Sequence, residues 1–293
     1  MSAELQYRMS AGDLEVVLAL VRAGNLAGAG ERLGVDASTV FRAIGRIERG
    51  IGQRLFNRSR AGYQASELAQ VLAEHAEQVE TRLEQARSAA QSATEQVTGT
   101  VRITTTDTIL HGLVAPALRT LDAVHPLLAY ELHTGNEVTS LTRRDADIAV
   151  RATKRPPQHL VGKHLGPIRV ALFAARHGPI QSYREVESGQ AAWIAPDDAL
   201  PDHPSVVWRK RRHPKAVTRY RVNSILTVME LTAAGLGVGV LPLFLAQSRT
   251  DLVQLTDVID ECQTELWLLT HPEARHLRRV SAVYRHLSET LSL

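Results

Sequence analysis

Cysteine is almost absent: Cys262 is the single one in 293 residues. A lone thiol excludes an internal disulfide framework and a two-cysteine redox switch within one subunit, and it reads as a buried, inert side chain. No stretch approaches the ~20 apolar residues that a membrane-crossing helix needs. Met1 to Asp13 has neither the basic start nor the apolar core of a secretion signal. The expectation is a soluble cytoplasmic protein with no membrane partner. Catalytic signatures are missing as well, with no serine nucleophile elbow, glycine-rich phosphate loop or zinc-ligand spacing. The pairs His159/His164 and His271/His276 have no metal spacing and no carboxylate cluster beside them. No catalytic residue, metal or cofactor is therefore assigned, and the chain is expected not to be an enzyme. The formal net charge is only +3, which by itself says little about nucleic acid; its distribution says more.

The first 95 or so residues read as helix, apart from a polar patch around Arg58 to Gln64. Leu14, Val17, Leu18 and Val21 recur at one-face helical spacing and Gly24 stops that helix. Asn25 is a good cap for a short second helix, in which Ala29-Gly30 supplies the small residues a close helix crossing needs, and Gly34 lets the chain turn sharply. Asp36 can cap a third helix whose Val40, Ile44 and Ile47 point inward. That leaves Ser38, Thr39, Phe41, Arg42, Gly45 and Arg49 on or near the outer face. Between residues 32 and 63, seven arginines (32, 42, 46, 49, 54, 58 and 60) are opposed only by Asp36 and Glu48, whereas acids predominate in the rest of the first 95 residues. A positive patch confined to a helix-turn-helix is what phosphate neutralisation requires. The bland alternative is a small helical bundle with a solvated basic face.

The stretch from Asn25 to Glu48, followed by Gly52 to Arg58, resembles the DNA-binding signature of the LysR family in order and spacing. The resemblance implies that Ser38, Thr39 and Arg42 contact bases and phosphates, with Phe41 and Arg46 beside them. It also implies a wing from Arg58 to Gln64 that carries Arg58 and Arg60 along the DNA backbone. Three positions depart from the family pattern: Gly30 where a second alanine is usual, Phe41 where a small polar residue is common, and Ala69 for a glycine after the wing. Gly30 should weaken its helix by somewhat less than ~1 kcal/mol relative to alanine.

From Ser66 to about Gln96 there is neither glycine nor proline, and Leu72, Ala76, Val79, Leu83, Ala86, Ala90 and Ala93 follow heptad spacing. This predicts one long helix with an apolar seam, joining two subunits through Leu72, Val79, Leu83 and Ala86, or else packing on the chain's own body.

Beyond the seam at Thr98-Gly99-Thr100, short β-branched runs alternate with helical segments, which implies an α/β domain built around parallel sheets. Val101 to Thr108, Asp145 to Arg151 and Arg221 to Pro242 resemble the LysR effector domain, which is similar to type 2 periplasmic binding proteins. The whole chain is thus expected to hold a winged helix-turn-helix (8–65), a linker helix (66–97) and a two-lobed α/β domain (98–293). The first lobe is placed at about 98–165 and 264–293, and the second at about 166–263. Ligands bind outside strand carboxyl ends in such sheets, which selects Thr105, Thr106, Asp107, Thr108, Arg151, Asn223 and Ser224; family position adds Asn136. Their donors suit a small anionic or polar effector. The basic run Arg209 to Arg212 reads as a solvated helix face, with a second nucleic-acid site as the alternative. The resemblance further implies binding to double-stranded promoter DNA as a dimer or tetramer, with RNA polymerase as an additional candidate partner. A constitutive ligand-free regulator, a solute-binding protein and an enzyme on an α/β scaffold are the competing readings.

Overall fold

A computed structural model of the chain describes residues 7–59, 62–90, 96–135, 146–272 and 274–293. It divides into two compact units, Met1–Glu95 and Gln96–Leu293.

The first unit runs α1 (Ala11–Ala23), α2 (Leu26–Leu33), α3 (Ala37–Ile51), β1 (Phe56–Ser59), β2 (Gly62–Ala65) and α4 (Glu67–Ala90). Ser10 and Asp13 form a reciprocal capping box at the start of α1, and Gly24 ends it in the left-handed conformation. The Asn25 side chain accepts the Gly28 N–H at 2.8 Å and so begins α2. A Cβ on Gly30 would lie 2.5 Å from the Val35 carbonyl oxygen, so this glycine is a packing requirement of the turn and its cost to α2 is offset there. Asp36 occupies the cap position of α3, but its side chain makes no capping bond. Instead its backbone carbonyl takes the Thr39 N–H at 2.9 Å, and the tight turn itself sets the helix start. Val17, Leu20, Ala29, Val40, Ile44, Ile47 and Leu55 form one core.

The hairpin of β1 and β2 pairs Arg58 with Tyr63 in antiparallel register. Two ties fix it to the helices. The Tyr63 N–H donates to the Gly24 carbonyl at 2.8 Å, and Gly62, at φ +119°, leaves no room for a Cβ beside that same oxygen. At the hairpin's base, one Glu48 carboxylate oxygen accepts the N–H groups of Leu55 and Phe56 at 2.7 and 3.1 Å.

The seam of α4 is shared differently from the expectation. Ala73 and Ala76 are buried against Leu18 of α1, Leu72 packs on the head's own core, and Arg22 bridges Glu77 and Glu80 at 3.5 and 3.1 Å. The apolar face of α1 needs cover, and the first turns of α4 supply it. Val79 is half-buried, while Leu83 and Ala86 are exposed.

The second unit contains β3 (Gly99–Thr105), β4 (Leu128–Thr134), β5 (Ile148–Ala152), β6 (Val161–Ile168), β7 (Val170–Ala175), β8 (Trp193–Ala195), β9 (Thr218–Arg221), β10 (Gly239–Pro242), β11 (Leu252–Gln254) and β12 (Thr264–Thr270). After β3, α5 (Asp107–Ile109) continues through a π turn, Leu110–Val114, into α6 (Ala115–Asp122). The first lobe's sheet has the order β4-β3-β5-β12-β6. β3 is parallel to β4 and β5, but β12 is antiparallel to both β5 and β6. In the second lobe β7 is antiparallel to β10 and β11, and β8 is parallel to β9. The sheets are therefore mixed and not simply parallel as expected. The reason is that the chain crosses between lobes twice, and the returning strand β12 must run against its neighbours. β6 stays paired with β12 up to Ile168, so the first crossover falls at Arg169, a few residues past the expected boundary. Val101, Ile103, Ile148, Val150, Leu266 and Leu268 fill the first lobe, and Ala171, Phe173, Ile194, Val228, Met229 and Leu241 the second.

A candidate DNA-reading face and a candidate ligand cleft

The 3.6-residue period of α3 separates two faces. Val40, Ile44 and Ile47 are at most 5% exposed, while Ser38, Thr39, Arg42, Arg46 and Arg49 are exposed and Phe41 presents 58% of its surface. Arg42 lies along the helix, its guanidinium donating to the Ser38 carbonyl and the Thr39 hydroxyl, each at 3.3 Å. Phe41, Arg42, Arg46, Arg49 and Arg54 line one shallow concavity, and Arg58 projects from β1. Arg60 lies outside the described residues. Arg46 has a role that the sequence reading did not assign: it is paired with Asp13 of α1 and so clamps the two helices, while 63% of its side chain remains exposed on the outer face. Burial opposes ionisation of Asp13, but the Ser10 backbone and hydroxyl, the Tyr7 hydroxyl and the Arg46 charge outweigh it and hold the carboxyl below its ordinary value.

Between the lobes of the second unit lies a cavity of about 150 Å³. Thr106 and Thr108 line it as expected. Thr106 caps α5 by accepting the Ile109 N–H at 3.3 Å, and Thr108 donates to Asp107 at 3.2 Å. Other expected members are engaged elsewhere. Thr105 is fully buried and its hydroxyl donates to the Val150 carbonyl at 2.9 Å, so it braces β3 against β5. Arg151 is 4% exposed and its guanidinium donates to the Gly135 carbonyl and the Thr104 hydroxyl; desolvation lowers its pKa. Neither lines the cavity, and the polar atoms that make these bonds are turned into the lobe. Asp107 and Ser224 meet each other, the Ser224 hydroxyl donating across from the second lobe to the first. Ser224 also caps the helix Ile225–Ala233, accepting the Thr227 N–H at 3.1 Å. Asn223 is exposed and does not line the cavity, and Asn136 lies outside the described residues.

The sequence reading missed His203 and the wall formed by Leu200 and Phe244. His203 precedes Pro204 at the start of the helix Pro204–Arg212, a cap-plus-proline pattern that could have marked it. Its Nδ1 accepts the Ser205 N–H at 3.3 Å. A backbone N–H can only donate, which assigns the hydrogen of the neutral ring to Nε2 and makes the Ser205 hydroxyl, 2.7 Å from Nδ1, a second donor to it. Burial pushes the imidazole down to about 4. Cys262 also lines the cavity, with burial and then the neighbouring Glu261 pushing the thiol up to about 12. It is a protonated wall atom and no nucleophile. Arg209, read as solvated, is 5% exposed and bonded to Asp197 at 2.7 Å, because the helix turns that side chain onto the lobe.

Residues 94–292 match the family model described as LysR substrate binding domain, and residues 11–70 the model described as bacterial regulatory helix-turn-helix protein, lysR family. The chain is 27% identical to the probable HTH-type transcriptional regulator LtrA of Klebsiella pneumoniae, covering 95% of this chain and 94% of that protein. It is 26% identical to the Mau operon transcriptional activator of Paracoccus denitrificans, with 91% of each covered. The fold is similar to the crystal structure of ArgP from Mycobacterium tuberculosis, at a TM-score of 0.66 and 21% identity over 97% of this chain and 99% of that one. Among the described residues no helix is long and apolar enough to cross a membrane.

Proposed function

The chain belongs to the LysR family of DNA-binding transcription regulators with a substrate-binding domain, and from that premise we propose how its residues divide the work. Ser38, Thr39, Phe41 and Arg42 read the major groove, Arg58 follows the DNA backbone, and a small-molecule effector between the lobes modulates promoter binding in the cytoplasm. The observation that carries this reading is the split of α3 into a buried face of Val40, Ile44 and Ile47 and an outward arginine-bearing face. Exposed Leu83, 49% accessible, and Ala86 on α4 support pairing with a second copy through the outer turns of that helix. Two heads then reach half-sites about one DNA turn apart.

Duplexes recovered by selection from a random library are expected to carry an imperfect inverted repeat. Arg42→Ala should lower affinity for them and reduce the slope of log K against log salt by about one ion. Unchanged affinity and slope would remove Arg42, and with it the assigned reading face. Leu83→Glu should convert dimers to monomers in sedimentation analysis; a variant that stays dimeric would place the subunit contact elsewhere.

A further inference from the structure

We propose that the cavity between the lobes takes a small uncharged molecule, of about one ring in size with one oxygen acceptor docked on His203, and rejects carboxylates. The inference rests on the reading of this cleft as the effector site and specifies its chemistry. Size comes first. A cavity of about 150 Å³ lies below the usual range for drug-sized ligands, and an apolar void of about that volume holds benzene. Lining comes second: nine of the fourteen described lining residues are hydrocarbon, Ile109, Ile168, Val170, Ile225, Val240 and Phe244 among them, so ligand area is covered mainly by hydrocarbon.

Charge decides the class. Among the described residues that line the cavity there is no lysine, arginine or carboxylate. Arg151, at the end of β5, donates to Gly135 and Thr104 instead, and Arg169, between the lining residues Ile168 and Val170, is exposed and is not part of the wall. A carboxylate entering this space would lose its hydration without a cation in the wall to pair with, since Lys154 and Arg211, near enough to act on the Cys262 thiol, do not line it. The polar groups that do face it are neutral. Thr106, Thr108 and Thr264 bring hydroxyls, and Cys262 is protonated. With its Nδ1 engaged by Ser205, His203 has Nε2–H left to donate, and a ligand oxygen is the partner that donor fits. The same burial that keeps the imidazole neutral near pH 7 denies an anion the imidazolium it would need.

The test is a ligand-observed NMR titration of the full chain at neutral pH with cyclohexanone, toluene, and the matched pair benzamide and benzoate. Cyclohexanone and benzamide should bind, and benzoate should bind at least about tenfold more weakly than benzamide. Ala152→Phe, at an exposed position on the rim, should abolish binding of all of them. His203→Asn keeps a capping acceptor for Ser205 but is too short to donate into the cavity. It should weaken cyclohexanone about fivefold and leave toluene unchanged. Benzoate binding as tightly as benzamide, and lost in Ala152→Phe, would overturn the chemical class while leaving the cleft as the effector site. Binding that Ala152→Phe does not touch, or no binding by any probe, would overturn both.

Discussion

Replacing Glu48 sets two effects of opposite sign against each other. Its carboxylate sits at the junction of α3 and the hairpin and receives the N–H groups of Leu55 and Phe56, residues that are 0% and 5% exposed. Glu48→Ala leaves two buried donors without an acceptor, each at a cost of about 1–3 kcal/mol, and water will satisfy part of that demand. A net loss of about 2–4 kcal/mol lowers the melting point of a head this small by at least about 8 °C. The same change removes one of the two acids from the arginine patch, which by counterion release alone strengthens non-specific binding. The structural effect should win for a specific duplex, because a loosened hairpin no longer holds Arg58 in place. Far-UV circular dichroism and tryptophan fluorescence separate the units, since Trp193, Trp208 and Trp267 all lie beyond residue 95. The dichroism transition should fall while the tryptophan transition stays. A dichroism midpoint within about 2 °C of the parent's, or specific affinity rising in step with non-specific affinity, would refute this reasoning.

Two further outcomes follow from buried charge. The Asp13 carboxyl is held below its ordinary value in the folded head, so its contribution is present above the unfolded value, near 3.8, and is lost as pH falls through the lower folded value. Acid titration of helicity should show that limb, and Asp13→Asn should be less stable at neutral pH by about 1–3 kcal/mol yet flat across the same window; an unchanged limb would assign the acid sensitivity to other carboxylates. In the second unit, Asp197 receives both Arg209 and, at 2.6 Å, the Thr218 hydroxyl. Asp197→Ala strands a buried guanidinium and should cost about 3–5 kcal/mol, read through tryptophan fluorescence beside Trp208, with Asp197→Leu/Arg209→Met recovering most of it. A double variant no better than the single one would show that packing, and not the orphaned charge, is the origin of the loss.

The head was legible in the sequence because its determinants are local. Caps such as Asn25, the stop at Gly24 and the period of Val40, Ile44 and Ile47 all act within a few residues, and the structure uses each of them. Where a signal depends on what lies opposite, the sequence is silent. Heptad spacing announces an apolar seam on α4 but not its partner, so Leu72 was placed at a subunit contact with the chain's own body as the alternative, and it packs on the head itself. Alternation marks strands but not their direction, which hid the antiparallel course of β12. In β6 the alternation itself is faint, because Gly162, Gly166 and Pro167 interrupt it. The cavity was least legible. Strand-end logic found Thr106 and Thr108, yet it could not foresee that Arg151 turns inward, or that His203 and Cys262, far apart in sequence from β3, close the same space.

The backbone bond from Tyr63 to the Gly24 carbonyl has a mechanical corollary. It stitches the hairpin to the bend between the first two helices, so that the distance from α3 to the strand edge is built into the head as on a fixed-gauge tool. A promoter whose contacts are spaced differently must itself bend to meet that gauge, and tolerance for variation is left to the span between two heads.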